Sequence, residues 1–178
     1  MSTPLPRNNK TCDVNIVLQH IISMDDSNNL PLKEVTMKLA MLVTLTTAQR
    51  RQSLHLMRTE GMVAEKEAYT FLVDTNIKQS RLTKSPSERI IRLKAYPTDN
   101  KLCVVDTCSV YLRKTRPIRG NESSLFLTSQ KPHKNASRDT IRRWIQQPTQ
   151  LSDIDVIVYS IALDRQLPLK LRLTKHLS

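Results

Sequence analysis

The sequence predicts an α+β fold, mainly α, in which helices pack around a small antiparallel three-stranded sheet. Three observations carry this. Apolar residues recur at helical spacing in four segments, while two shorter stretches alternate on either side of a polar, basic turn. With 178 residues, 39% of them hydrophobic, the chain suits one domain with a real core.

Residues 1–12 are polar, contain Pro4 and Pro6, and read as a flexible N-terminus. Asp13 is a fair N-cap for a first helix, because Val14, Val17, Leu18, Ile21 and Ile22 then recur at helical spacing to about Met24. The string DDSNNLP reads as a loop. Pro31 can occupy the first turn of a second helix, whose apolar line is Val35, Leu39, Leu42, Val43 and Thr46. This is the most hydrophobic part of the chain and the candidate central helix. The string TTAQR interrupts it, and a short helix can resume over 50–57.

Past that point the period changes. Tyr69, Phe71 and Val73 alternate with Thr70, Leu72 and Asp74, and Ile90, Ile91, Leu93 and Ala95 follow the basic string KQSRLTKSPSER, which predicts a hairpin with a cationic tip. Over 102–114, Leu102, Val105, Cys108, Ser109 and Leu112 share one helical face, with Lys and Arg in the last turn and Pro117 as the stop. The run SLFLTS predicts the third strand. After a polar loop, KPHKNAS, Ser137 is the N-cap of a helix over 138–147 that buries Ile141, Trp144 and Ile145 and ends before Pro148.

Several function classes drop out on composition. Two glycines, Gly61 and Gly120, cannot build a glycine-rich phosphate loop or a dinucleotide fingerprint. The 3 cysteines, Cys12, Cys103 and Cys108, are odd in number and lack C-x-x-C spacing, so they read as reduced thiols and not as zinc ligands. No metal and no cofactor are expected. The N-terminus does not resemble a signal peptide and no apolar run has membrane-spanning length, so the expectation is a nuclear or intracellular protein, not secreted and without a membrane partner.

The net charge of +12 points to a polyanion. The cations cluster as Arg50/Arg51, as Lys78/Arg81/Lys84, as Arg113/Lys114/Arg116/Arg119, and as Lys131/His133/Lys134/Arg138/Arg142/Arg143. All four clusters fall at expected loop tips or helix ends, where phosphates can be gripped while the core stays apolar. Aromatic residues are only 4%, too few to stack the bases of a single strand, so double-stranded DNA is the better-fitting partner. The candidate DNA contacts are Arg51, Arg81, Lys84, Lys131, His133, Lys134, Arg138 and Arg142.

An apolar helix, then T-x-x-R-x-x-S-L, a hairpin with a lysine in its turn, a helix, a strand, a His-containing loop and a Trp-bearing helix follow in order. This arrangement resembles the catalytic domain of the tyrosine recombinase (phage integrase-like) superfamily, in particular the branch carried by animal mobile elements. The string LVTLTTAQRRQSLHLM resembles the family's first catalytic box, T-G-x-R-x-x-E-L, with Thr47, Arg50 and Leu54 in place, Ala48 for the Gly and Ser53 for the Glu. FLVDTNIKQSR resembles the strand and turn bearing the catalytic lysine, here Lys78. IRLKAYPTDNKLCVVDTCSVYLRKTRPIRG and LFLTSQKPHKNASRDTIRRWI resemble the elements that connect to the second box.

The resemblance implies DNA integration and recombination by strand breakage and rejoining. A tyrosine hydroxyl attacks a phosphodiester, two arginines fork onto the nonbridging oxygens, and a lysine and a histidine move protons, with no metal. It implies catalytic positions at Arg50 and Lys78, and a partial catalytic domain over 13–159. Tyr159 follows the Trp144 helix too soon to be the nucleophile. The family's H-x-x-R and late tyrosine do not follow it, and residues 160–178 form an atypical basic tail, as though the domain were truncated. The chain is therefore expected to bind DNA but to be inactive alone. The alternative is a noncatalytic basic DNA-binding or recombinase-interacting module, with a second copy or a full-length recombinase as possible partners.

Overall fold

The structure, a computed structural model, describes residues 14–47, 51–73 and 90–149. Arg50, Lys78, Arg81, Lys84, the N-terminal residues 1–12, the hairpin tip and the tail 160–178 lie outside the described residues. The fold is α+β: helices surround a small three-stranded antiparallel sheet.

Helix α1 (Val14–Ser23) ends where Ser23 Oγ donates to the His20 carbonyl at 2.7 Å. The following turn is organised by Asp26, whose carboxylate accepts from the Asn28 backbone and side-chain N–H groups, both at 2.9 Å. These bonds, the backbone one foremost, hold the Asp26 carboxyl below its ordinary value. Helix α2 (Leu32–Thr47) starts with Val35 N–H donating to the Pro31 carbonyl at 3.0 Å. Every residue from Lys38 to Leu45 is buried, so α2 is enclosed on all sides, packing on α4 (Val104–Thr115), α5 (Arg138–Thr149) and β3 (Ile90–Lys94). The expected break at Thr46 and Thr47 does not occur there. Thr44, Thr46 and Thr47 bond their hydroxyls to the carbonyls of Ala40, Leu42 and Val43 at 2.9, 2.8 and 2.6 Å, which lets β-branched polar residues stay helical.

Helix α3 (Arg51–Leu56) runs directly into β1 (Met57–Ala64), which pairs with β2 (Ala68–Val73), and β2 pairs with β3, giving the order β1-β2-β3. The β2–β3 hairpin matches the sequence reading, with Phe71 opposite Ile91 and Leu72 opposite Ile90. The third strand does not. It is β1, not SLFLTS, whose residues make only the isolated bridges Arg58–Ser124 and Leu127–Asn135. The reason is local: β1 reads MRTEGMVA, and a register shift between Arg58 and Val63 breaks its alternation. Gly61, inside that irregularity, has φ +71°, and a Cβ there would meet Leu72 Cδ1 at 2.8 Å. Residues 124–127 are continuously buried instead of alternating, and lie along β1 through Thr59 N–H to the Ser123 carbonyl (2.7 Å) and Leu125 N–H to the Met57 carbonyl (2.9 Å).

Asp99 caps a 3₁₀ turn (Asn100–Leu102), and α4 follows, ending just before Pro117 as the sequence predicts. Its buried face is centred on Val104, Cys108, Tyr111 and Thr115; Ser109, expected on the buried face, is exposed, and Leu112 is half-buried. Tyr111 is the reason for the rotation. Its fully buried ring sends the hydroxyl to the Leu125 carbonyl (3.0 Å) while accepting from Leu127 N–H (2.9 Å), which secures the 125–127 segment to the helix. Burial raises the Tyr111 phenol to about 12 and pushes the Cys108 thiol well up, so that cysteine is an inert core residue.

Ser137 caps α5 as expected: its Oγ accepts from Thr140 N–H at 3.1 Å. The apolar face of α5 is Ile141, Trp144 and Ile145, with the Trp144 ring 6.4 Å from Phe126. The helix continues through Pro148 to Thr149 and does not stop before the proline. In a last turn, a missing N–H forfeits only one terminal bond.

Candidate nucleic-acid interface

The loop leading into α5 is built on Thr128. Its carbonyl accepts from His133 Nδ1 (2.9 Å), its Oγ1 accepts from Lys134 N–H (3.1 Å) and lies 3.0 Å from the Pro132 carbonyl, and its N–H donates to the Lys134 carbonyl (2.9 Å). One threonine thus closes residues 128–134 into a rigid loop. Lys131 and Lys134 are exposed on it, and His133 is half-buried.

Ser137 then starts α5, whose exposed side carries Arg138, Arg142 and Arg143. Arg142 Nε is steered by Gln146 Oε1 at 2.9 Å, and Arg143 Nε approaches the Asp139 carbonyl at 3.4 Å. None of these cations is in a salt bridge with a described residue; the salt bridge found there joins Arg92 to Glu65, on the sheet. Arg138 in the first turn adds to the positive end of the helix dipole, Asp139 beside it offsets part of that charge, and Arg142 and Arg143 leave the exposed side of the helix net positive. The arrangement is suited to an anion.

Lys131, His133 and Lys134 thus stand on the loop and Arg138 and Arg142 on the helix that follows it, and the structure adds a connection that the sequence does not show. His55 on α3 places Nδ1 2.8 Å from the carbonyl of Ala136, 81 residues away and immediately before the α5 cap. Helix α3, which opens at Arg51, is thereby tied to the base of the cationic loop, and α3 packs against α5. His55 is the residue that sequence reasoning missed, and no spacing rule could have found it.

In the expected cluster Arg113/Lys114/Arg116/Arg119, Arg113 and Arg116 are exposed, while Arg119 is turned to structural use. Arg119 is half-buried: it donates to Thr115 Oγ1 at 3.0 Å and to the carbonyls of Leu125 (3.2 Å), Glu122 (3.4 Å) and Ser124. Burial lowers its pKa. It is a clamp between the end of α4 and the 122–125 segment. Arg113 is held by Asn28 Oδ1 at 2.6 Å.

Beside the clamp, Arg58 donates to Ser124 Oγ, which is 2.8 Å from Glu122 Oε1. Partial burial works against the charge of Glu122, yet hydrogen bonds from the Ser124 side chain and backbone and from the Asn135 backbone hold its carboxyl below the ordinary value. The neighbouring Asn135 Oδ1 is buried without a donor among the described residues. No three His, Cys, Asp or Glu side chains among the described residues are grouped to hold a metal ion, and no helix there is long and apolar enough to cross a membrane.

Comparison with protein families, with curated proteins and with solved structures finds no match to this chain.

Proposed function

We propose that this chain is a DNA-binding fragment of a tyrosine recombinase catalytic domain, which holds duplex DNA through phosphate contacts and does not cleave it alone. The observation that carries the DNA reading is the exposed face formed by Lys131, Lys134, Arg138 and Arg142, with no carboxylate partner among the described residues. The recombinase reading is supported by the order of elements. An enclosed helix, the segment with Thr47 and Arg50, a short helix, a hairpin whose connector contains Lys78, a helix, a His-bearing loop and a Trp-bearing helix follow one another. In this reading Arg50 forks onto a nonbridging phosphate oxygen and Lys78 stands at the leaving hydroxyl. In this reading Tyr159 follows the Trp144 helix too soon to be the nucleophile, so none of these 178 residues is assigned to form a phosphotyrosyl bond.

The test is a nicked suicide duplex. The expected outcome is salt-sensitive, noncovalent retention with no covalent adduct; a phosphotyrosyl adduct would overturn the inactive reading, and failure to bind at low salt would overturn DNA binding itself. The exposure of Lys131, Lys134, Arg138 and Arg142, set against the use of Arg119 inside the fold, also suits a noncatalytic DNA-binding module. That module would keep its affinity almost unchanged in Arg50→Ala, whereas a recombinase-type arginine clamp loses a bidentate contact that lysine cannot replace.

A further inference from the structure

His55 and His133 share one arrangement. In each, Nδ1 sits at hydrogen-bond distance from a backbone carbonyl, Ala136 at 2.8 Å for His55 and Thr128 at 2.9 Å for His133. A carbonyl oxygen only accepts, so Nδ1 must carry the hydrogen in both rings, and the neutral form of each is fixed as the Nδ1–H tautomer. Nε2 is then the atom that can take a proton. Neither Nε2 makes a hydrogen bond with a described residue, and both side chains are half-exposed. The two carbonyls lie in the cationic loop and at its junction with α5, so both rings are tied to the segment that carries Lys131, Lys134 and Arg138.

We propose that His55 joins His133 as a phosphodiester contact of this face, each ring binding through Nε2–H as the imidazolium, so that the protein takes up protons as it takes up duplex DNA. This rests on the DNA-binding reading and adds a residue and a proton to it. A ring whose Nδ1–H is already held needs no reorientation to present a second N–H; protonation at Nε2 creates a charge-assisted donor where there was a lone pair.

The surrounding charges set the direction. His133 has Lys131 and Lys134 on its own loop and no charged residue at 127–129. Of the elements next to α3, α5 carries Arg138, Asp139, Arg142 and Arg143, β1 carries Arg58 and Glu60, the 122–124 segment beside β1 carries Glu122, and α2 has no charged residue in its last turn. Across the two rings the named cations outnumber the named carboxylates by six to three, and an approaching phosphodiester adds negative charge beside each ring, which is the condition for proton uptake on binding.

The experiment is fluorescence anisotropy of the full chain with a labelled blunt duplex, titrated against salt at about pH 6 and at about pH 8, the range in which imidazole changes charge. Wild type binds more tightly at the lower pH, and its salt slope steepens by about 0.9 for each histidine that acquires a phosphate. His55→Asn and His133→Asn keep a side-chain N–H at the position of Nδ1 and remove the titration. Each halves the pH effect and the double variant abolishes it, with melting temperatures measured alongside to confirm folding. Equal wild-type affinity and slope at both pH values overturns the proposal without touching DNA binding. So does a folded double variant that keeps the pH effect, because the remaining histidines would then carry it. A wild type that binds duplex at neither pH overturns the DNA-binding reading and this proposal together.

Discussion

Two regions of the molecule, the α1–α2 turn and the loop leading into α5, treat positive charge in opposite ways. Around the α1–α2 turn, Lys38 Nζ lies 3.3 Å from the Asp25 carbonyl, Lys101 Nζ donates to the Ile22 carbonyl at 3.1 Å, and Arg113 holds Asn28 Oδ1. These cations, like Arg119, complete the hydrogen bonding of helix ends and loops. In the loop before α5 and along α5, the cations leave solvent as their main partner, and the loop is shaped by Thr128 and Ser137 instead. The difference teaches that net charge overstates the charge left free for a partner: side chains of the same type tie loops and helix ends together in one region and are left to solvent in the other.

The sharpest way to break that division is at Arg119. Arg119→Ala leaves the carbonyls of Ser124 and Leu125 and the hydroxyl of Thr115 without their charged donor, and hydrogen bonds to charged groups contribute roughly 1.5–3 kcal/mol each way. Urea denaturation is expected to show a loss of about 3 kcal/mol with an unchanged slope, while the duplex affinity of the folded fraction stays close to wild type. A variant that keeps its stability but loses DNA would move Arg119 into the other class.

The reciprocal experiment removes exposed cations. The triple variant Lys134→Ala, Arg138→Ala, Arg142→Ala should lower the salt slope of duplex binding by about 2.7, three phosphates at about 0.9 each. Its stability is expected to stay within about 0.5 kcal/mol for each substitution, because none of the three side chains closes the loop or caps the helix. A large loss of stability would show these cations to be structural as well.

Which cation falls in which class was only partly legible in the sequence. The α5 surface was, because Ile141, Trp144 and Ile145 at helical spacing fix where the arginines must lie, and Ser137 fixes where the helix begins. Arg119 was not. Its burial depends on Tyr111 turning α4 towards Leu125, a contact whose cause is a single phenol hydroxyl and not a period. The same limit hid β1: alternation is a signal only while the strand is regular, and the register shift at Gly61 removes it. His55 and Ala136 meet across 81 residues, and no local pattern encodes that meeting.

Lys38 gives the smallest expected effect and the finest test, since it is the one cation among the fasteners that is also a fully buried side chain. Burial lowers its pKa; the charge of Asp26 opposes this, Lys101 adds to it, and Asp99 and Asp25 oppose it more weakly. The folded state therefore releases this proton before the unfolded chain does. Where the unfolded chain binds more protons, stability rises with pH, so this group contributes a gain as pH rises through its folded value, levelling off above the ordinary lysine value of about 10.4. Lys38→Met removes that alkaline gain together with the cost of burying the ammonium, and leaves the Asp25 carbonyl without a donor, a loss of about 0.5–1.5 kcal/mol. The two changes oppose each other, and the net shift at neutral pH is expected to lie within about 1 kcal/mol of zero. Stability of the two proteins compared at neutral and alkaline pH checks both parts. A neutral-pH loss as large as that of Arg119→Ala would make Lys38 a fastener of the same strength, and a surviving alkaline gain in the variant would assign it to another group.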